Sequence, residues 1–238
     1  SVARKLPPTA ILAASLFVLL NQQWFNLGFI PKDVAWGHYL TRVLIEPGFT
    51  WYPYFSLYTV IPWAAVMGLG WSFGIMLNNT EIEKIMKLKL PLLAVGVSSI
   101  TLFFIVRLFN GYGNLIRRWS NNILDWLYIS KYPPSIAFLL WTLGGTCIFM
   151  MIGILITEKG WTNKNVSGVV HNFGRVPLFF YLTHLWLYRL RLPNVEPPFY
   201  LDLTQTFGLW LVGLVILWMF CARYEDLKKR HPRFLQYI

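Results

Sequence analysis

Two cysteines in 238 residues, Cys147 and Cys221, both inside apolar runs, leave no disulfide framework and no CxxC pair. They read as small packing residues. Acids are also scarce: ten Asp and Glu stand against twenty-one Lys and Arg. Every acid falls in a loop or at the end of an apolar run. A proton-coupled transporter normally holds acids at membrane depth, so that class is disfavoured. No HExxH, GxSxG or Walker-type pattern occurs, which argues against a metalloprotease, a redox carrier or an ATPase. No metal-ligand set is proposed. Repeats and low-complexity segments are missing as well.

What is present is oil and aromatic rings. Apolar residues make up 56% of the chain, charged residues only 13%, and the mean hydropathy is +0.49. The charged share is about half that of soluble domains. Twelve Trp, twelve Tyr and eighteen Phe suit interfacial belts and packed bundles. The apolar runs are continuous rather than alternating, which speaks against a β-barrel. The expected fold is all-α, a polytopic transmembrane helical bundle forming one domain over residues 1–238.

A span needs about twenty mostly apolar residues. Six candidates emerge: Thr9–Phe25, Ser56–Leu77, Leu90–Leu108, Ser135–Thr157, Phe173–Leu190 and Thr206–Tyr224. Six spans place both termini on one side. That side carries twelve Lys and Arg, including the cluster Arg223, Lys228, Lys229, Arg230 and Arg233. The other side carries eight in longer loops. The bias predicts cytoplasmic termini in a plasma membrane. It also accounts for the net charge of +11 by membrane anchoring rather than by nucleic acid, which is not expected as a partner. Membrane lipids are. In the second span, Gly70 and Gly74 form a GxxxG that predicts close helix approach, and Pro62 predicts a kink.

The segment NFGRVPLFFYLTHLWLYRL, residues 172–190, carries the first chemistry. Arg175 and His184 are nine residues apart, about 13 Å along a straight helix. Pro177 either bends that helix or stands in its first turn. In the second case Arg175 sits at a helix N-terminus, with Asn172 or Gly174 near the cap and His171 one turn before. Backbone N–H groups and a guanidinium there suit the phosphate of a donor molecule; an interfacial lipid headgroup suits them equally. His184 shares a face with Tyr181 and Tyr188. Such a pair of His184 and Tyr181 can move protons or orient a hydroxyl, or it can bond a carbonyl and hold the bundle together.

The second group lies on the opposite side. Lys131 and Tyr132 stand in SKYPPSIAF, where the double proline sets the start of the fourth span with Ser135 in its first turn. Arg107, Asn110 and Asn114 precede them, and together these residues offer hydrogen-bond donors on the side opposite the termini. Lys131, Tyr132 and Asn110 are the candidates for binding a substrate, through sugar hydroxyls or an anion; the alternative is anchoring in the interface.

Three stretches, YTVIPWAAVMGLGWSFG (58–74), SKYPPSIAFLLWTLGG (130–145) and NFGRVPLFFYLTHLWL (172–187), followed by the basic ending RYEDLKKRHPRFLQYI, resemble the C-terminal half of the heparan-α-glucosaminide N-acetyltransferase family, in particular its bacterial relatives. The resemblance covers the chain from about residue 9 onward. It implies a membrane acyltransferase that takes an acetyl group from cytoplasmic acetyl-CoA and delivers it to an amino sugar, a glycan acceptor, across the membrane. Arg175 and His171 would then meet the coenzyme, with His184 and Tyr181 at the transfer. The family usually opens with further helices bearing an Asp, Arg-Gly and His pattern. This chain lacks that pattern, so a missing N-terminal half or a partner membrane subunit is expected. The competing expectation is a non-catalytic integral subunit that packs in a larger complex and binds lipid or pigment.

Overall fold

The computed structural model describes residues 6–25, 35–51, 54–56, 58–78, 80–161, 164–188 and 202–230. The chain gathers into two compact units, Ser1–Lys159 and Gly160–Ile238. Among the described residues it is all-α apart from one short hairpin.

The first unit holds α1 (Pro8–Phe25), α2 (Ala35–Leu44), β1 (Gly48–Trp51), β2 (Tyr54–Ser56), α3 (Val60–Asn78), α4 (Ile82–Met86), α5 (Lys89–Phe109), α6 (Ile123–Leu127) and α7 (Ile136–Glu158). Strands β1 and β2 pair antiparallel, with Gly48 opposite Ser56 and a bulge before Trp51. The long helices pack as pairs, α1 with α3 and α5 with α7. Small residues set both seams. Gly68 of α3 lies against Ser15 of α1, and a Cβ there would collide with the Ser15 hydroxyl. Between α5 and α7, a Cβ on Gly96 would stand 2.6 Å from Ile148 and 3.0 Å from the Gly144 carbonyl. The Lys89–Glu158 ion pair closes the far end of that seam. Leu19, Ala65 and Leu139 join α1, α3 and α7 in a shared core. The predicted seam at Gly70 and Gly74 is different: a Cβ on either would meet nothing within 4 Å. Close approach follows the glycines that meet a neighbouring helix, and these two meet none, Gly70 lying instead on an apolar cleft.

The second unit consists of α8 (Lys164–Arg175), α9 (Pro177–Leu187) and α10 (Leu203–Arg230). Helix α9 runs antiparallel to α10. Phe179 stacks on Tyr224 at 4.0 Å between ring centroids, and Tyr188 at the other end donates to the Trp210 carbonyl at 3.3 Å. Tyr188 packs against Gly213, which has no side chain to block it.

Among the described residues four helices are long and apolar enough to cross a membrane: Val60–Asn78, Glu83–Phe109, Ile136–Glu158 and Leu203–Arg230. Between 11% and 22% of each is buried within the chain, so most of their apolar surface faces outward, as a membrane-spanning helix requires. Six such spans were expected. The first candidate forms α1, but Asn21, Gln22 and Gln23 make its last turns too polar. The fifth breaks in two at Val176, because Pro177 cannot donate to the turn before it. The termini fall in residues 1–5 and 231–238, outside the described residues.

Candidate functional site

In the second unit Pro177 is the first residue of α9, as the first-turn reading requires, but the cap is Val176 rather than Asn172 or Gly174. Arg175 is therefore the last residue of α8, not the start of a span. Its guanidinium pairs with Glu225 of α10, whose side chain is 9% exposed. Lys229 reaches the same carboxylate oxygen at 2.9 Å. Asn172, with its amide nitrogen turned toward the carboxylate, donates to the other oxygen at 2.7 Å and to the Gly168 carbonyl at 3.2 Å. Arg175, Val176, Glu225, Lys228 and Lys229 line a cavity of about 270 Å³. Asp226 lies 3.8 Å from Lys229, so Arg175, Lys228 and Lys229 stand against two carboxylates and leave one net positive charge, an electrostatic fit for an anion.

The sequence reading overlooked Glu225 because it sits in RYEDLKK, which looks like the solvated tail of a span. The signal was the i,i+4 spacing to Lys229. His171 lies on α8 one turn before Arg175 and is exposed.

His184 lies in the last turn of α9. Its Nδ1 is 3.3 Å from the Phe180 carbonyl oxygen, and its ring stacks on Phe180. A proton on Nδ1 completes that bond and leaves Nε2 as the atom able to accept another. The Tyr181 ring centre is 5.3 Å from that of His184, so the two rings share one helix face. Tyr188 points to α10 instead.

The groups of the first unit divide in two. Arg107 is wholly buried, and all five of its N–H groups are used. Nε donates to Trp126 O at 3.0 Å, and Nη1 to Asn114 Oδ1 at 2.9 Å and Ile116 O at 2.8 Å. Nη2 donates to the carbonyls of Asp125 and Tyr128. Asn110, the left-handed C-cap of α5, is used the same way. Its amide donates to Arg118 O at 2.8 Å and accepts from Arg118 N at 2.7 Å. Arg107 and Asn114, expected to offer donors outward, instead fold the 110–128 loop around themselves, because a buried guanidinium must satisfy each N–H. Asp125 fastens the loop from the other side, accepting from Trp119 N and Ser120 N. The Ser120 N–H bond is the main reason its carboxyl lies below the ordinary range.

Lys131 and Tyr132 remain outward. Tyr132 shares a 2.7 Å hydroxyl–hydroxyl hydrogen bond with Tyr58, and Trp63 completes an aromatic trio with ring centroids 4.9–6.5 Å apart. The Lys131 ammonium lies 5.1 Å from the Tyr132 ring centre. Burial pushes the Tyr132 phenol up, but hydrogen bonding to Tyr58 and the Lys131 charge outweigh it, and the phenol ends below its ordinary value. Tyr58 and Trp63 were invisible as site members in sequence, lying about seventy residues from Tyr132. The unit also holds an almost wholly apolar cleft of about 470 Å³, lined by residues such as Leu16, Leu69, Leu140 and Cys147. Among the described residues no group of His, Cys, Asp and Glu could hold a metal ion.

Comparison with protein-family models, curated sequences and solved structures finds no match.

Proposed function

We propose that this chain is an integral-membrane acyl-transfer protein that takes an acyl group from cytoplasmic acetyl-CoA or a related thioester to a sugar amine or hydroxyl on the other side. The observation that carries it is the cavity lined by Arg175, Lys228 and Lys229, with Arg175 and Lys229 on Glu225, at the foot of the helix that bears Tyr181 and His184. The cluster supplies charge for the phosphates of such a donor. His184 lies nine residues farther on, a separation that suits a thioester held on an extended arm beyond its phosphates. Its Nε2 would take the proton from the attacking amine or hydroxyl as the acyl carbon–oxygen or carbon–nitrogen bond forms, and coenzyme A would leave as the thiol. Holding donor and acceptor together supplies much of the rate. Lys131 and Tyr132 are the acceptor's candidates. The plasma membrane, with both termini cytoplasmic, is part of this reading.

A second reading is favoured by two observations: Arg175 already has Glu225 as a partner, and the cleft of the first unit is apolar. On that reading the chain is a non-catalytic integral subunit that binds lipid. Calorimetry with acetyl-CoA on the purified protein separates the two. Acyl transfer requires saturable binding that Arg175→Ala weakens at least tenfold, about 1.4 kcal/mol. Binding equal in the variant, or none in either protein, leaves the subunit.

A further inference from the structure

An amphipathic helix on a soluble domain turns its polar face outward and its apolar face to its neighbours. Helix α8 does the reverse. At about 100° per residue, Gly168, Asn172 and Arg175 share one narrow face. That face is turned to α10: Arg175 pairs with Glu225, and Asn172 donates to the same carboxylate at 2.7 Å. Val169, Val170 and Phe173 make up the opposite face. Phe173 meets the Phe180 ring of α9 at 5.2 Å, which covers part of it, but Val170 is 68% exposed. The valine side of this stripe therefore needs a cover of its own.

The level of α8 along α10 says what that cover is. From Leu203 to Glu225, α10 rises about 33 Å, close to the thickness of a bilayer's hydrocarbon core. Glu225 thus stands at one edge of the core, and both bonds from α8 end on it, which holds α8 at that edge. Twelve residues rise only about 18 Å, too short to cross. The charge of the same level is positive. Arg175, Arg223, Lys228, Lys229 and Arg230 stand against Glu225 and Asp226. Basic groups beside an outward apolar stripe are the make-up of a helix that lies in the membrane surface, drawn there by anionic headgroups. The stripe is also continuous with the outward apolar side chains of α9, Leu178, Leu182 and Leu185.

We propose that α8 is an in-plane membrane-surface helix: Val169 and Val170 seat it among the lipid chains, Glu225 clasps its polar face, and the cations around Arg175 and Lys228 bind the phosphates of an anionic leaflet. This surface does not depend on acyl transfer. It makes a segment that looks like loop and span in sequence into a docking face for anionic lipid.

The test uses the full chain in two kinds of nanodisc, phosphatidylcholine alone and phosphatidylcholine with phosphatidylglycerol. Amide exchange over residues 168–175 needs no substitution. It should slow about fivefold when phosphatidylglycerol is present, the effect of one basic group at an anionic surface, and Lys228→Gln should remove most of that gain. Depth is read with a nitroxide on Val170→Cys and, separately, on His171→Cys, which lies on the flank beside Arg175. Both are made in a Cys147→Ala, Cys221→Ala background, since these are the native thiols. The label at 170 should relax faster with oxygen, which concentrates in lipid, than with a water-soluble nickel chelate; the label at 171 should do the opposite. A label at 170 that prefers the chelate puts the stripe in water and overturns the proposal. One shielded from both reagents means that protein covers the stripe, whether the first unit or a second copy, and overturns it too. Exchange that is the same in both discs removes the anionic leaflet as the partner.

Discussion

Replacing Arg107 tests the account of the outer loop most sharply. Arg107 is buried, and its five donors meet four backbone carbonyls and the Asn114 side chain. Arg107→Lys keeps the charge but offers only three N–H groups from one point. At least two acceptors then go unbonded, at about 1–3 kcal/mol each where they stay buried. The ammonium must also be accommodated in a pocket shaped for a planar fork. The sum is about 3–5 kcal/mol, comparable to breaking a buried ion pair. For a chain of this size that is a fall in Tm of about 10 °C. Arg107→Met, which leaves all five acceptors bare, should fall at least as far. Thermal unfolding in detergent measures the first quantity, and amide exchange over residues 110–128 measures the second. Protection in that segment should vanish in both variants while α7 keeps its own. If either variant melts within about 1 °C of the parent with the loop still protected, the guanidinium is not what organises the loop.

Two further outcomes follow from the same geometry. Gly144→Ala places a Cβ 2.8 Å from Ser99 Cβ and 3.2 Å from the Gly96 carbonyl, and should destabilise by about 1–3 kcal/mol in a detergent melt; Gly70→Ala, which meets nothing, should be neutral or slightly stabilising. Asp125 has its folded pKa held below the ordinary value of 3.8, so its contribution is present above that pH and lost as pH falls through the folded value. Loop protection by amide exchange should therefore decay below about pH 4, and Asp125→Asn should remove that acid step.

Some of this molecule could be read directly from its residues. Continuous apolar runs dictate spanning helices, because no other structure satisfies the backbone in lipid without closing a barrel. The four long helices answer to that rule. Pro177 at the start of α9 and the start of α7 after Pro133-Pro134 were legible for the same reason: proline acts on its own turn. Ser135 was placed one residue too far in. It is the N-cap itself, accepting from Phe138 N. The shared face of Tyr181 and His184 was legible because it depends only on helical spacing.

The rest depended on neighbours that no local pattern names. Gly70 and Gly74 make a motif, yet Gly96 and Gly144 make the contact, since a small residue matters only where another helix meets it. Arg107 and Asn110 looked like outward donors until the loop folded back onto them. Arg175 looked like the free cation of a helix N-terminus until α10 brought Glu225 to it from fifty residues away. The sequence by itself determined that this chain belongs in a membrane and where its chain must turn, because helix length, hydropathy and proline act within one segment. Only the tertiary structure decided which polar groups are already satisfied and, through Glu225, which face of α8 is turned outward, because a hydrogen bond needs its partner and that partner lies elsewhere in the chain.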